Sequence, residues 1–168
     1  MMFRANDYVV YGRMGVCRVS GIEQHDGKNF YALEAMQQRC RVLAPVDGKV
    51  PIRAIITKED ADAMIDHIPT LTVTPASGTN TRELTELYRS AILSNDCQKL
   101  LELTMSIYEK RKNASAANKK LSGTDERFWR EGEALLFGEL SYALGIPAED
   151  VKGYISSRVK AAKPGARK

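Results

Sequence analysis

The sequence predicts an α+β chain in two parts, a small β-rich N-terminal module with a short helix and then an all-α C-terminal bundle. Three observations predict it. Closely spaced segments rich in β-branched and aromatic residues fill positions 6–44. Apolar residues recur at helical spacing from Leu84 onward. Between the two textures lies a polar stretch broken by Pro75 and Gly78.

Asp7–Tyr11, Val16–Ile22 and Asn29–Leu33 read as strands, and Gln38–Ala44 as a fourth that stops at Pro45. Gly12, Gly15, Gly21 and Asp47-Gly48 punctuate them, and Asp26-Gly27 is a strong two-residue hairpin signal. Strands this short favour a strongly bent sheet or a small SH3/Tudor-like β-barrel. After Pro51 the pattern changes. Thr57-Lys58-Glu59-Asp60 fits a capping box and opens a short helix with Ala61, Met64, Ile65 and Ile68 at its apolar positions, ended by Pro69. The first domain is thus expected over residues 1–70 and a linker over 71–80, with the boundary near residue 75.

Residues 81–160 read as the helical domain. Leu84, Leu87, Tyr88, Ala91 and Ile92 line one face of its first helix. Ser94-Asn95-Asp96 breaks that helix and caps a second, which carries Leu100, Leu101, Thr104, Ile107 and Tyr108 and frays at Lys110-Arg111-Lys112. A polar loop over 113–123 leads to Thr124-Asp125-Glu126, an acidic start suited to a helix N-terminus. The third helix carries Phe128, Trp129, Leu135, Leu136 and Leu140, with Gly132 allowing a close helix contact. Pro147 at a first helical position begins a fourth through Val151, Ile155 and Val159. Residues 161–168, with Pro164-Gly165, read as a disordered basic tail.

Charge divides along the same line. Residues 1–75 carry nine Lys/Arg and nine Asp/Glu, whereas residues 76–168 carry sixteen and twelve, so the whole excess of +4 lies in the helical half. Lys110, Arg111, Lys112, Lys119 and Lys120 concentrate it at one helix end and loop. Lysines and arginines gathered on one surface bind phosphate without reading sequence, which makes these five candidate DNA contacts. The competing reading is a solvated surface that offsets a helix C-terminal dipole.

Other classes find no support. Cys17, Cys40 and Cys97 are odd in number and widely spaced, which predicts reduced thiols filling a core in a cytoplasmic protein. His25 and His67 stand at no metal-ligand spacing, so neither a metal nor any other cofactor is expected. There is no phosphate-binding Gly-Lys-Ser/Thr loop and no nucleophile elbow. Asp60 and Asp62 in a capped helix read as structural. The chain has neither an apolar signal core at its start nor a run long enough to span a membrane. No enzymatic activity, membrane partner or small-molecule substrate is expected, and the protein is expected to be a monomer.

The opening Phe3-Arg4-Ala5-Asn6-Asp7-Tyr8-Val9-Val10-Tyr11-Gly12-Arg13-Met14-Gly15-Val16 resembles the F-x-x-G-D-x-V-V-Y-P-x-x-G-V pattern of the CarD/CdnL family of bacterial transcription regulators. Asn6 and Gly12 stand where that family usually has Gly and Pro. Ile22-Glu23, Tyr31-Ala32-Leu33, Pro45-Val46-Asp47 and Ile52-Arg53 continue the match in order. Leu93-Ser94-Asn95-Asp96 and Glu133–Leu140 resemble two later family segments. The resemblance implies a Tudor-like module that binds the β subunit of RNA polymerase, and a helical domain that contacts promoter DNA at the upstream edge of the bubble. Contacts to the backbone and minor groove would stabilise the open promoter complex without chemistry. The N-terminal module is also shared with the transcription-repair coupling factor, whose helicase motor is not found in this sequence.

The resemblance also nominates residues. Its polymerase contact is similar to strand addition at a sheet edge helped by basic side chains, which points to His25, Arg39 and Arg41. Related proteins place a wedging Trp where Leu84 stands here, followed by Ser-Arg-Arg where this chain has Thr85, Glu86 and Leu87. Leu84 is then either an apolar wedge or part of the core stripe. Arg89 matches a basic position and is a further phosphate-contact candidate. Trp129, mid-helix beside Phe128, reads as core. The rival expectation is an adaptor that binds polymerase or another partner without touching DNA.

Overall fold

The computed structural model describes residues 3–71 and 81–162. It divides into two compact units, Met1–Ile55 and Ile56–Lys168.

The first unit is an antiparallel sheet of β1 (Tyr8–Tyr11), β2 (Val16–His25), β3 (Lys28–Ala35), β4 (Cys40–Pro45) and β5 (Ile52–Ala54), ordered β4-β3-β2-β1-β5. Each expected strand is present, and β5 is an additional one. The ladder leaves β4 and β5 at its edges, and among the described residues no pairing between them closes it into the expected barrel. The Asp26-Gly27 signal is realised: His25 pairs with Lys28, and the two turn residues take φ 52° and 76°, the left-handed values a primed hairpin turn requires. A register shift between Val19 and Gly21 bends β2. Alternation buries Val9, Cys17, Val19, Tyr31, Leu33 and Ala35 on one face.

The opening motif is built into this sheet. Phe3 packs edge-on against Tyr31, at 5.7 Å between ring centroids, and Asp7 Oδ2 accepts from Arg4 N at 2.8 Å. Asn6 has φ 74° and donates its N–H to the Val19 carbonyl at 2.7 Å. Asparagine tolerates that left-handed conformation, which explains how it can replace the glycine of the family pattern. Gly12 is different: its φ of 50° is one that proline cannot adopt, so the chain takes its own path there into a 3-10 turn, Gly12–Met14.

The second unit holds α1 (Lys58–Asp66), α2 (Thr81–Leu93), α3 (Cys97–Ala116), α4 (Gly123–Leu144) and α5 (Ala148–Ala162), with a 3-10 turn Ile68–Thr70 after α1. Thr57 caps α1 by accepting from Asp60 N at 3.0 Å, as the sequence predicts. Although α1 was expected with the β module, Ala61 and Ile65 are fully buried in the same cluster as Leu136 and Leu140. Asp66 receives two hydrogen bonds from Arg158 of α5, at 2.9 and 2.6 Å, and Asp62 accepts from Tyr154. These contacts draw the helix to the bundle and place the division between the units at Ile55, well before residue 70. Of the expected linker, residues 72–80 lie outside the described residues.

Two further boundaries differ. The second bundle helix does not fray at Lys110–Lys112; it continues to Ala116, four residues into the expected loop. The fourth continues through Ala162, and residues 163–168 of the expected tail lie outside the described residues. Gly132 does mark a close crossing: a Cβ there would meet Leu103 Cδ2 at 3.2 Å and Thr104 Cγ2 at 3.3 Å. Cys17 and Cys97 fill core positions, but Cys40 is exposed on the edge strand β4.

Candidate functional site

Residues two apart on a strand share a face, so Glu23 and His25 of β2 project together. Glu23 is an anchor that sequence reasoning did not single out. Its Oε1 lies 3.1 Å from His25 Nε2, and its other carboxylate oxygen pairs with Arg41 of β4. The His25 ring packs edge-on against Phe30 at 5.8 Å. His25 and Arg41 are thereby gathered on one side of the sheet, next to the β4 edge, with Leu43 40% exposed two residues beyond Arg41. Arg39 is not part of this cluster. It occupies the β3–β4 turn at φ 53°, exposed, with its backbone N–H donating to the Ala35 carbonyl at 2.8 Å. The alternation that unites Glu23 and His25 is visible in the sequence; the pairing of β4 that adds Arg41 is not.

In the helical unit the candidates separate by availability. Leu84 is only 9% exposed and packs in the core with Tyr88 and Ile92, as the core-stripe alternative has it; Leu87, expected on the same apolar stripe, is 56% exposed instead. Lys110 is also withdrawn. Its Nζ donates to Asp125 Oδ1 at 2.9 Å and to the Tyr88 hydroxyl at 3.2 Å, while that hydroxyl donates to the same Asp125 oxygen at 2.6 Å. Burial, with the neighbouring Asp125 carboxylate, pushes the Tyr88 phenol well above its ordinary value, which keeps it a donor. Asp125 is buried at the start of α4, where its N–H donates to Ser122 Oγ. The triad ties α2, α3 and α4 together and commits Lys110 to Asp125 and Tyr88.

Arg111, Lys112, Lys119 and Lys120 remain exposed. The Lys119 N–H donates to the Ala114 carbonyl at 2.7 Å, which folds the chain back on the end of α3 and gathers Lys119 and Lys120 near its last turn. Lys112 lies 3.8 Å from Glu109, and the Arg111 guanidinium stacks 4.6 Å from the centre of the Trp129 ring. Trp129, expected in the core, is only partly buried. Arg89 is exposed on α2, a different helix. Arg111 and Lys112 thus lie in α3 ahead of its last turn, and Lys119 and Lys120 follow its end at Ala116.

Asp62 is fully occupied by Lys58, Tyr154 and Arg158, and Glu139, buried in α4, accepts from Ile56 N at 2.9 Å. Among the described residues no group of three His, Cys, Asp or Glu side chains could hold a metal. None of the helices there is long and apolar enough to cross a membrane.

A small antiparallel sheet with β4 and β5 at its edges is followed by a helical unit with basic residues in and just beyond α3. The first unit can be placed further: residues 3–56 match the family model described as CarD-like/TRCF RID domain. No curated protein matches the chain.

Proposed function

We propose that the protein is a transcription regulator whose N-terminal unit binds the β subunit of RNA polymerase and whose helical unit contacts promoter DNA near the upstream edge of the bubble. The observation that carries the reading is the match of residues 3–56 to a CarD-like/TRCF RID domain, combined with an open β4 edge flanked by His25, Arg41 and Leu43. An unpaired edge offers backbone groups to a partner strand, and the side chains beside it supply selectivity. Glu23 holds both basic groups in place until a partner carboxylate competes for them. Arg39 is a peripheral contact in this reading.

The DNA-facing part falls to Arg111, Lys112, Lys119 and Lys120, with Arg89 as a separate phosphate contact. Contacts of this type position the protein without reading bases. Binding raises the open complex only by the difference in affinity between open and closed states. With Leu84 buried, apolar wedging requires that side chain to leave the core. Burial of Leu84 and sequestration of Lys110 favour a second reading, an adaptor that holds polymerase or another partner without touching DNA.

Two measurements test these readings. Polymerase pull-down by Arg41→Glu should fall sharply relative to wild type, and retention at wild-type level would remove the β4 edge from the interface. Replacing Arg111, Lys112, Lys119 and Lys120 together with Gln should flatten the salt dependence of promoter affinity by roughly one unit of logarithmic slope per lost phosphate contact. An unchanged slope, or no salt-dependent binding by the wild type, leaves the adaptor.

A further inference from the structure

The helical unit contains a groove of about 550 Å³ walled by the turn after α1 and by α3, α4 and α5. Its apolar lining includes Ile68, Leu101, Met105, Phe137, Ile155 and Val159, and Trp129 forms part of one wall. That volume lies within the range of roughly 300–1,000 Å³ typical of small-molecule sites. The walls are helices, whose internal N–H and C=O groups already bond to one another, so the groove has little to offer a peptide main chain. Recognition must come from apolar contact and from charge at the rim.

The rim charges are unequal. Arg111, Lys112 and Lys152 line the groove with Glu109 and Glu133. Glu109 is 3.8 Å from Lys112, whereas among the described residues no carboxylate pairs with Arg111 or Lys152. Two uncommitted cations thus face one uncommitted carboxylate, and Arg111 is held in place by its stack on Trp129. We propose that this groove binds a small amphiphile with an apolar body and a single anionic end, the anion seated at Arg111 and the body against Met105, Phe137 and Val159. Because Arg111 and Lys112 also belong to the proposed DNA-contacting end of α3, the amphiphile and DNA compete for them. The competition rests on the DNA reading; the binding site does not.

Trp129 is the only tryptophan in the sequence, so its emission reports occupancy directly. Dodecanoate titrated into the full-length protein below its micelle concentration should change that emission saturably. Dodecanol, which lacks the anion, should require roughly tenfold more, the equivalent of one lost charge-assisted contact. Val159→Phe, which fills the groove, and Arg111→Gln, which leaves it open, should each weaken the response at least as much while circular dichroism stays that of wild type. Equal responses to dodecanoate and dodecanol, no saturable response, or a response to an acidic amphipathic helical peptide but not to dodecanoate would each overturn the proposal. A second arm measures promoter affinity with saturating dodecanoate. A clear loss is expected; unchanged affinity removes the competition, while failure of the apoprotein to bind DNA counts against the DNA reading alone.

Discussion

In the β unit the core is apolar, and the ion pairs Arg18–Glu34 and Arg41–Glu23 lie on solvated surface. Among the described residues of the helical unit four polar side chains are buried, Thr104, Ser106, Asp125 and Glu139, and Lys110 is drawn inward to meet Asp125. The difference bears on function. The sheet's charges remain free to exchange partners at its edge, so its surface is close to what its sequence lists. The bundle's count of lysines and arginines overstates what it can present, because Lys110 is committed to Asp125, and Arg158 to Asp62 and Asp66. Polyanion binding by the bundle would therefore fall to the cations that no carboxylate holds, among them Arg111, Lys119 and Lys120 in or just beyond α3, Arg89 on α2 and Lys152 on α5.

The contrast is most directly broken at Asp125. Asp125→Ala leaves the Lys110 ammonium and the Tyr88 hydroxyl without their shared acceptor, and removing one partner of a buried pair typically costs about 3–5 kcal/mol. Urea unfolding followed by Trp129 emission, which reads the helical unit alone, should show a midpoint lowered to match. A midpoint within error of wild type would mean that the triad is incidental and Lys110 is free for DNA after all. The next effect is steric. Gly132→Leu forces bulk against Leu103 and Thr104 and should cost about 1–3 kcal/mol by the same measurement. Gly132→Ala should be much milder, since helix propensity improves by about 1 kcal/mol while the neighbours give by a few tenths of an ångström.

The same contrast governs what could be read from the sequence. The sheet was legible because its signals are local: the Asp26-Gly27 turn and the strand alternation each act within a few residues. The opening motif belongs with them, since Phe3, Asn6 and Asp7 serve to close the first turn over Tyr31 and Val19. Their likeness to a family pattern therefore speaks to the fold of this unit more than to its contact residues. What could not be read depends on long-range partners. Short Ile52–Ala54 becomes a strand only because β1 offers an edge to pair with. Helix α1 looked attached to the sheet because it follows it, yet Tyr154 and Arg158, 92 residues later, hold it to the bundle. Lys110 looked like surface charge because no local pattern announces Asp125 as its partner.

The smallest expected effect is an acid one, and it sharpens the account of how the bundle holds α1. The Arg158 guanidinium, through its hydrogen bonds, keeps the Asp66 carboxyl below its ordinary value. Burial pushes Asp62 upward, but hydrogen bonds from Tyr154 and Lys58 and the charge of Arg158 outweigh it, so Asp62 is also lowered. A carboxyl lowered in the folded state binds protons less readily there than in the unfolded chain. Its contribution is present above the ordinary carboxylate range and is lost as pH falls through that range and then through the folded value. The helical unit should therefore lose stability progressively in acid, and Arg158→Met, which removes the main lowering influence on Asp66 and a lesser one on Asp62, should partly flatten the dependence. Urea midpoints of the two proteins measured from neutral pH down to the carboxylate range check this. Parallel curves would show that the Arg158 pairs with Asp66 and Asp62 contribute nothing to holding α1.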